Sequence, residues 1–438
     1  MKQRLIRTAA ALLASLLTAA AAQAQAPKPP LSAADSDPAR LGWMVGSPPP
    51  ADKLIRWADM SFMRFPQLRW TFANFRQMMP TTNVSRGDGP VAVLPRAERG
   101  DIDAITFQPL GRSDTMTWAQ SLQANYTDAI LVLHQGRIVY ERYFGVMKAS
   151  QPHIAMSVTK SYFGTLGAML VAEGKLDPNA LVTRYIPELK DTAYGDATVR
   201  QVLDMTIGVR YSENYADPKA EIWDHVRAGG VFPRPPGYSG PQSFQQFLLT
   251  LKKEGEHGQA FAYKTVNADV LGWLIARASG ESVGRLLEER IWSQLGAEHD
   301  AYMVVDSTGY EFAGGGFNAT LRDMARFGEM MRLDGRYNGR QIVPKSVVDD
   351  IRAGGSKADF AKAGFATLPG WSYRDMWWVA HDEDGVFAAR GIHGQTIYID
   401  PKAEMVIVRF ASHPLAANAN NDPTSLPAYR ALARFLMR

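Results

Sequence analysis

His153-Ile154-Ala155-Met156-Ser157-Val158-Thr159-Lys160-Ser161-Tyr162-Phe163-Gly164-Thr165-Leu166-Gly167-Ala168-Met169-Leu170-Val171-Ala172-Glu173-Gly174-Lys175 decides how this 438-residue chain is read. The run is apolar enough for a buried helix, and it opens on Ser157-Val158-Thr159-Lys160. Three residues is nearly one helical turn, so the Ser157 hydroxyl and the Lys160 amine are expected on one face, within reach of each other. A helix start also supplies unpaired N–H groups and a positive dipole end, which suit an oxyanion forming beside Ser157. Burial and neighbouring positive charge would lower the Lys160 pKa, making it a base at neutral pH. The plainer reading is an N-cap serine followed by a solvated lysine. Ser157 begins the one Ser-x-x-Lys in the chain, but so short a motif discriminates weakly, and partners elsewhere must decide.

Working outward, residues 129–133 and 138–143 are β-rich runs joined at Gly136, a hairpin that leads into the serine helix. Helical periodicity marks residues 199–206, 266–278, 283–295 and 321–333, with a long loop-rich stretch over 212–258. Strand patterns return at 377–380, 386–390, 395–399 and 405–410, and a last helix covers 426–437. Strands at both ends around a helical middle predict an α/β fold. One mostly antiparallel central sheet would be flanked by helices, with a mainly helical lobe inserted over about 175–370. The cleft between lobe and sheet is the expected site.

Two further stretches can converge on Ser157. Tyr263, in Phe261-Ala262-Tyr263-Lys264-Thr265, precedes a helix whose apolar face carries Val266, Val270, Leu271 and Leu274; a phenol there can relay a proton. Gly391-Ile392-His393-Gly394-Gln395 is a glycine-bracketed entry into a strand, where a backbone N–H such as that of Gln395 can join the N–H of Ser157 in an oxyanion hole.

In this order the three motifs resemble those of serine β-lactamases of class C, penicillin-binding proteins and related esterases. The closest likeness is to 6-aminohexanoate-dimer hydrolases, carried also by Leu203-Asp204-Met205-Thr206-Ile207-Gly208 and Gly394-Gln395-Thr396-Ile397-Tyr398. The resemblance runs from about residue 129 to the C-terminus and implies a β-lactamase-like fold with Ser157 as nucleophile, Lys160 as base and Tyr263 as proton relay. It further implies Tyr215 on the scissile amide nitrogen, Asp224 on a substrate amino group, Trp377 or Trp378 as a pocket wall, and His393 and Gly394 at the substrate. Two departures stand out. Tyr263-Lys264-Thr265 replaces the usual Tyr-x-Asn, leaving Thr265 or Asn267 to substitute. His393-Gly394-Gln395 replaces Lys-Thr-Gly, removing the cation that would hold a β-lactam carboxylate.

Composition narrows the rest. The chain is 46% hydrophobic and 21% charged, so it holds a sizeable core. Lys2, Arg4, Arg7, an apolar run over about 9–22 and the Ala-Gln-Ala repeats to Ala26 form a secretory signal pattern. Residues 1–26 are expected to be removed and the protein to be periplasmic or secreted, without stable membrane insertion after cleavage. Residues 27–120 form an extension packing on the body, with aromatics clustered over 57–83, and residues 121–438 form the hydrolase domain. The absence of cysteine excludes thiol chemistry and disulfides. Three of the +4 net charges are Lys2, Arg4 and Arg7, so nucleic acid is not an expected partner. No cofactor is called for. The eight histidines are scattered without ligand spacing, so no metal site is expected. A small amide or ester is the expected partner. Carboxylesterase, D-amino-acid peptidase, β-lactamase and a non-catalytic cell-wall-binding relative stay open as alternatives, and the sequence does not set the oligomeric state.

Overall fold

In the computed structural model, residues 29–438 are described, and Leu31–Arg438 gather into one compact unit. The signal pattern over 1–26 lies outside the described residues.

The hairpin read from the sequence is Thr127–His134 paired with Arg137–Tyr143, turning on Gln135 and Gly136, both at positive φ. These two strands form one edge of a seven-stranded sheet whose other five are Ser372–Arg374, Trp377–Val379, Phe387–Gly391, Gln395–Asp400 and Met405–Ala411. Met405–Ala411 pairs with Thr127–His134 and closes the chain's two ends into one sheet; every ladder in it is antiparallel. Pleating sends Ile397 and Tyr398 to opposite faces. Ile397 meets the helix Leu321–Arg332, where Gly328 allows close approach. Tyr398 meets Tyr429 of the C-terminal helix Asp422–Leu436, with ring centroids 5.1 Å apart. Helices therefore cover both faces, the α/β arrangement expected.

A second sheet was not legible in the sequence. It runs Thr81–Val84, Ala301–Val304, Phe317–Ala319, His153–Ile154, all antiparallel, and its members are too short to show a period. Its edge strand His153–Ile154 delivers the chain to Ser157.

The segment before residue 120 is part of the same core. Phe62, Leu68, Phe72 and Phe75 are buried, and Arg69 forms a buried ion pair with Asp128 of the central sheet at 3.2 Å while donating to Ser412. The extension is thereby bound to the sheet by both packing and charge.

Candidate active site

Ser157 lies at the N-terminus of the helix Val158–Ala172. The residue before it, Met156, has φ +47°, a left-handed conformation that costs a non-glycine residue about 1 kcal/mol or more. The second sheet enforces that turn: Ala155 N–H donates to Phe317 O at 2.8 Å, and Phe317 N–H donates to the Thr159 hydroxyl at 3.1 Å. The strand-to-helix turn is thus fixed from both sides, and it presents Ser157 at the end of the helix, only 8% exposed.

Lys160 is 1% exposed, and its Nζ donates to Ser157 Oγ at 2.8 Å and to Gly314 O at 2.5 Å. Burial pulls its pKa down to about 8, while the carboxylates of Glu213 and Asp269 hold it up. The neighbouring positive charge expected from the sequence is therefore not the cause; desolvation alone lowers this amine, against two opposing negative charges. Asp269 in turn accepts from Gly314 N–H at 3.0 Å, which fixes the peptide whose carbonyl receives Lys160. Tyr263 lies over Lys160, with Nζ 5.2 Å from the ring centroid, and its hydroxyl is in hydrogen-bonding reach of Ser157. Burial, with Glu213 nearby, pushes the phenol well above its usual range, so it remains protonated and able to donate. The three side chains expected to converge do so.

A cavity of about 790 Å³ opens on Ser157. Tyr215 lines it, its hydroxyl 2.5 Å from Glu213 Oε1. Glu213 also lines it and accepts from the backbone N–H and the hydroxyl of Thr265 at 2.6 and 2.7 Å. Thr265, the residue in place of the missing asparagine, thus faces the cavity, whereas Asn267 is buried away from it, accepting from Tyr194. Glu213 was not singled out in the sequence. Its only signal was its place two residues before Tyr215 in a loop-rich stretch.

His393 lines the cavity. Its Nδ1 lies 2.6 Å from His413 O, a carbonyl that can only accept, so Nδ1 carries the proton. Burial pushes its pKa down to about 4, leaving the ring neutral at physiological pH.

Four expectations are corrected. Asp224 is 60% exposed, ion-paired with Arg227 on the helix Glu221–Ala228, and absent from the cavity lining, because the face of that helix turned inward carries Ile222, Trp223 and Val226 instead. Trp378 does not line the cavity either; it packs against the Tyr263 ring at 5.4 Å and backs it from behind, while Trp377 is core. Gln395 is turned into the protein: its side-chain amide donates to Ala411 O and accepts from Ala411 N–H, and its main chain is already in register with Gly391. Gly394 serves the turn, with φ +98° and its carbonyl on Arg409. Within this segment Ile392 lines the cavity along with His393. Gly391 brings it there: a Cβ at 391 would lie 2.9 Å from Ser157 N and 2.8 Å from Ala155 O, so only glycine allows the two backbones this close.

A buried serine with a lysine of lowered pKa beside it, a phenol in reach and an apolar cleft above fit a serine hydrolase of the amidase and esterase kind. Residues 117–426 match the Beta-lactamase family, and the chain belongs to it. It is 37% identical to the 6-aminohexanoate-dimer hydrolase of Paenarthrobacter ureafaciens over 355 residues, covering 81% of this chain and 88% of that one. Among solved structures, a Bacillus anthracis protein provisionally assigned as a 6-aminohexanoate-dimer hydrolase superposes with a TM-score of 0.78 at 34% identity, over 86% of this chain and 96% of that one. A D-stereospecific amidohydrolase from Streptomyces shares the fold at 16% identity, TM-score 0.52, over 69% and 96% of the two chains. Among the described residues no helix is long and apolar enough to cross a membrane, and no group of His, Asp or Glu is arranged to hold a metal ion.

Proposed function

We propose that the protein is an exported hydrolase of linear amides or esters that works through an acyl-enzyme on Ser157. Neutral Lys160 takes the Ser157 proton as Oγ attacks the carbonyl carbon. The N–H groups of Ser157 and Ile392 hold the oxyanion; Ile392 takes the place first given to Gln395. Tyr263 gives its proton to the departing amine or alcohol and recovers one from Lys160, and water then cleaves the acyl-enzyme by the same transfers in reverse. Tyr215, held by Glu213, is positioned to meet the scissile group. The observation that carries this reading is the 2.8 Å contact between Lys160 Nζ and Ser157 Oγ in a site dry enough to bring the amine to about 8.

A fluorophosphonate probe tests it. The wild type is expected to be labelled on Ser157 and to turn over a nitrophenyl ester. Ser157→Ala is expected to lose labelling and at least about 10⁴-fold in kcat/KM with its fold intact; labelling at the wild-type rate in that variant would remove Ser157 from the role. Export rests on the N-terminal signal pattern alone. N-terminal sequencing of the protein recovered outside the cytoplasm is expected to begin at Gln25 or Pro27, and Met1 retained there would overturn it.

A further inference from the structure

We infer that the substrate carries an extended, uncharged apolar arm, received by a wall that the N-terminal extension builds. This rests on the hydrolase reading above and narrows its substrate class. The cavity over Ser157 is lined by 28 residues, of which only Arg64 and Glu213 are charged at neutral pH, since His393 is held neutral. Both are already engaged within the protein. Glu213 is engaged by three hydrogen bonds from Thr265 and Tyr215. Arg64 is exposed and donates to Asp59 O at 2.6 Å. Most of the remaining surface is apolar: Met60, Met63 and Phe75 come from the extension, and Trp223, Phe232 and Phe312 from the body.

The two sources are fastened together. Trp57 Nε1 donates to Val231 O at 2.9 Å, Phe62 packs edge-on to Phe232 at 6.0 Å, and Phe232 stacks on Trp223 at 5.5 Å and 12°. The wall is therefore a fixed part of the fold. A volume of about 790 Å³ is far more than an acetyl group needs and falls within the usual range for a whole small-molecule ligand, about 300–1,000 Å³. Against the wall of Met60, Met63, Phe75, Trp223, Phe232 and Phe312 an ammonium or carboxylate would lose its hydration without gaining a partner.

Two ester series on the full mature chain test this. In one the acyl group grows from acetyl to hexanoyl with nitrophenol as leaving group; in the other the alcohol grows with acetate fixed. In at least one series kcat/KM is expected to rise about 3- to 4-fold per methylene, roughly 100-fold over four methylenes. Nitrophenyl hexanoate is expected to be cleaved at least about 10-fold more efficiently than the nitrophenyl ester of 6-aminohexanoate, which has the same six-carbon chain but ends in an ammonium. Met63→Asp, at the half-buried rim, is expected to cut the hexanoate-to-acetate ratio about 10-fold and to move the preference toward the ammonium ester. Two flat series, or a wild type that prefers the ammonium ester, overturn the inference while Ser157 still labels. A chain with neither labelling nor turnover of any ester overturns the hydrolase reading and this inference with it.

Discussion

Around Ser157 the floor of the cleft is polar and its groups are engaged. Lys160 donates to Ser157 and Gly314, Asp269 holds the Gly314 peptide, and Glu213 holds Thr265 and Tyr215. The walls above it are methionine, aromatic and aliphatic side chains drawn from the extension, the body and the 414–417 turn. The floor has one solution, because every buried polar atom needs a particular partner; the wall needs only to be apolar and of the right volume. Changes to the floor should therefore fall on kcat and on the pH profile, and changes to the wall on the choice among substrates.

The largest expected effect comes from the narrowest contact in the floor. Gly391→Ala would place a methyl group against Ser157 N and Ala155 O, forcing the two backbones apart and spoiling the oxyanion site proposed there. A loss of about 10²- to 10³-fold in kcat is expected, the usual cost of one oxyanion donor, with little change in circular dichroism; wild-type kcat in this variant would show that the approach of the two segments does not matter.

Next comes the choice between esters and β-lactams. No lysine stands at His393, and the ring there is neutral. Losing a charge-assisted hydrogen bond to a carboxylate costs about 1.5–3 kcal/mol, or roughly 10- to 150-fold. Specificity constants are expected to favour a short nitrophenyl ester over a chromogenic cephalosporin by at least that factor. Equal constants would mean that some other group holds the carboxylate.

The pH profile sharpens the account of the floor. Lys160 must be neutral to accept a proton, so kcat/KM for an uncharged ester is expected to climb about 10-fold per pH unit and level off above about pH 8. Glu213 favours the charged amine, so Glu213→Gln is expected to move that limb to lower pH. A limb that stays in place would show that the titrating group is not Lys160. His393, pushed down to about 4, should add no inflection near pH 6.5. The smallest effect is expected at Asp224, exposed on the outer side of its helix. Asp224→Asn should leave kcat/KM within about 2-fold, and a larger loss would bring that face of the helix back to the substrate.

The convergence of Ser157, Lys160 and Tyr263 was legible because their geometry is local or tied to regular elements. Ser157 and Lys160 are nearly one helical turn apart, and Tyr263 stands three residues ahead of the first residue of the helix Val266–Ser279. The binding residues were less so. Tyr215 reached the cavity but Asp224 did not, because on the short helix Glu221–Ala228 the neighbours Trp223 and Val226 take the inward face, and the sequence of so irregular a region does not reveal its rotation. Gln395 and Ile392 lie three residues apart in a turn with His393 at φ +61°, a conformation that no local pattern specified.

Sequence alone determined the α/β class, the serine helix, the return of the chain's two ends to one sheet and the pairing of Ser157 with Lys160, since each follows from hydrophobic periodicity or from spacing within one element. Tertiary structure alone decided how Lys160 is brought to about 8, how closely the backbone at Gly391 approaches Ser157, and that Met60, Met63 and Phe75 belong to the cleft. Desolvation and close backbone approach depend on what the rest of the chain excludes from a point in space. No run of neighbouring residues carries that information.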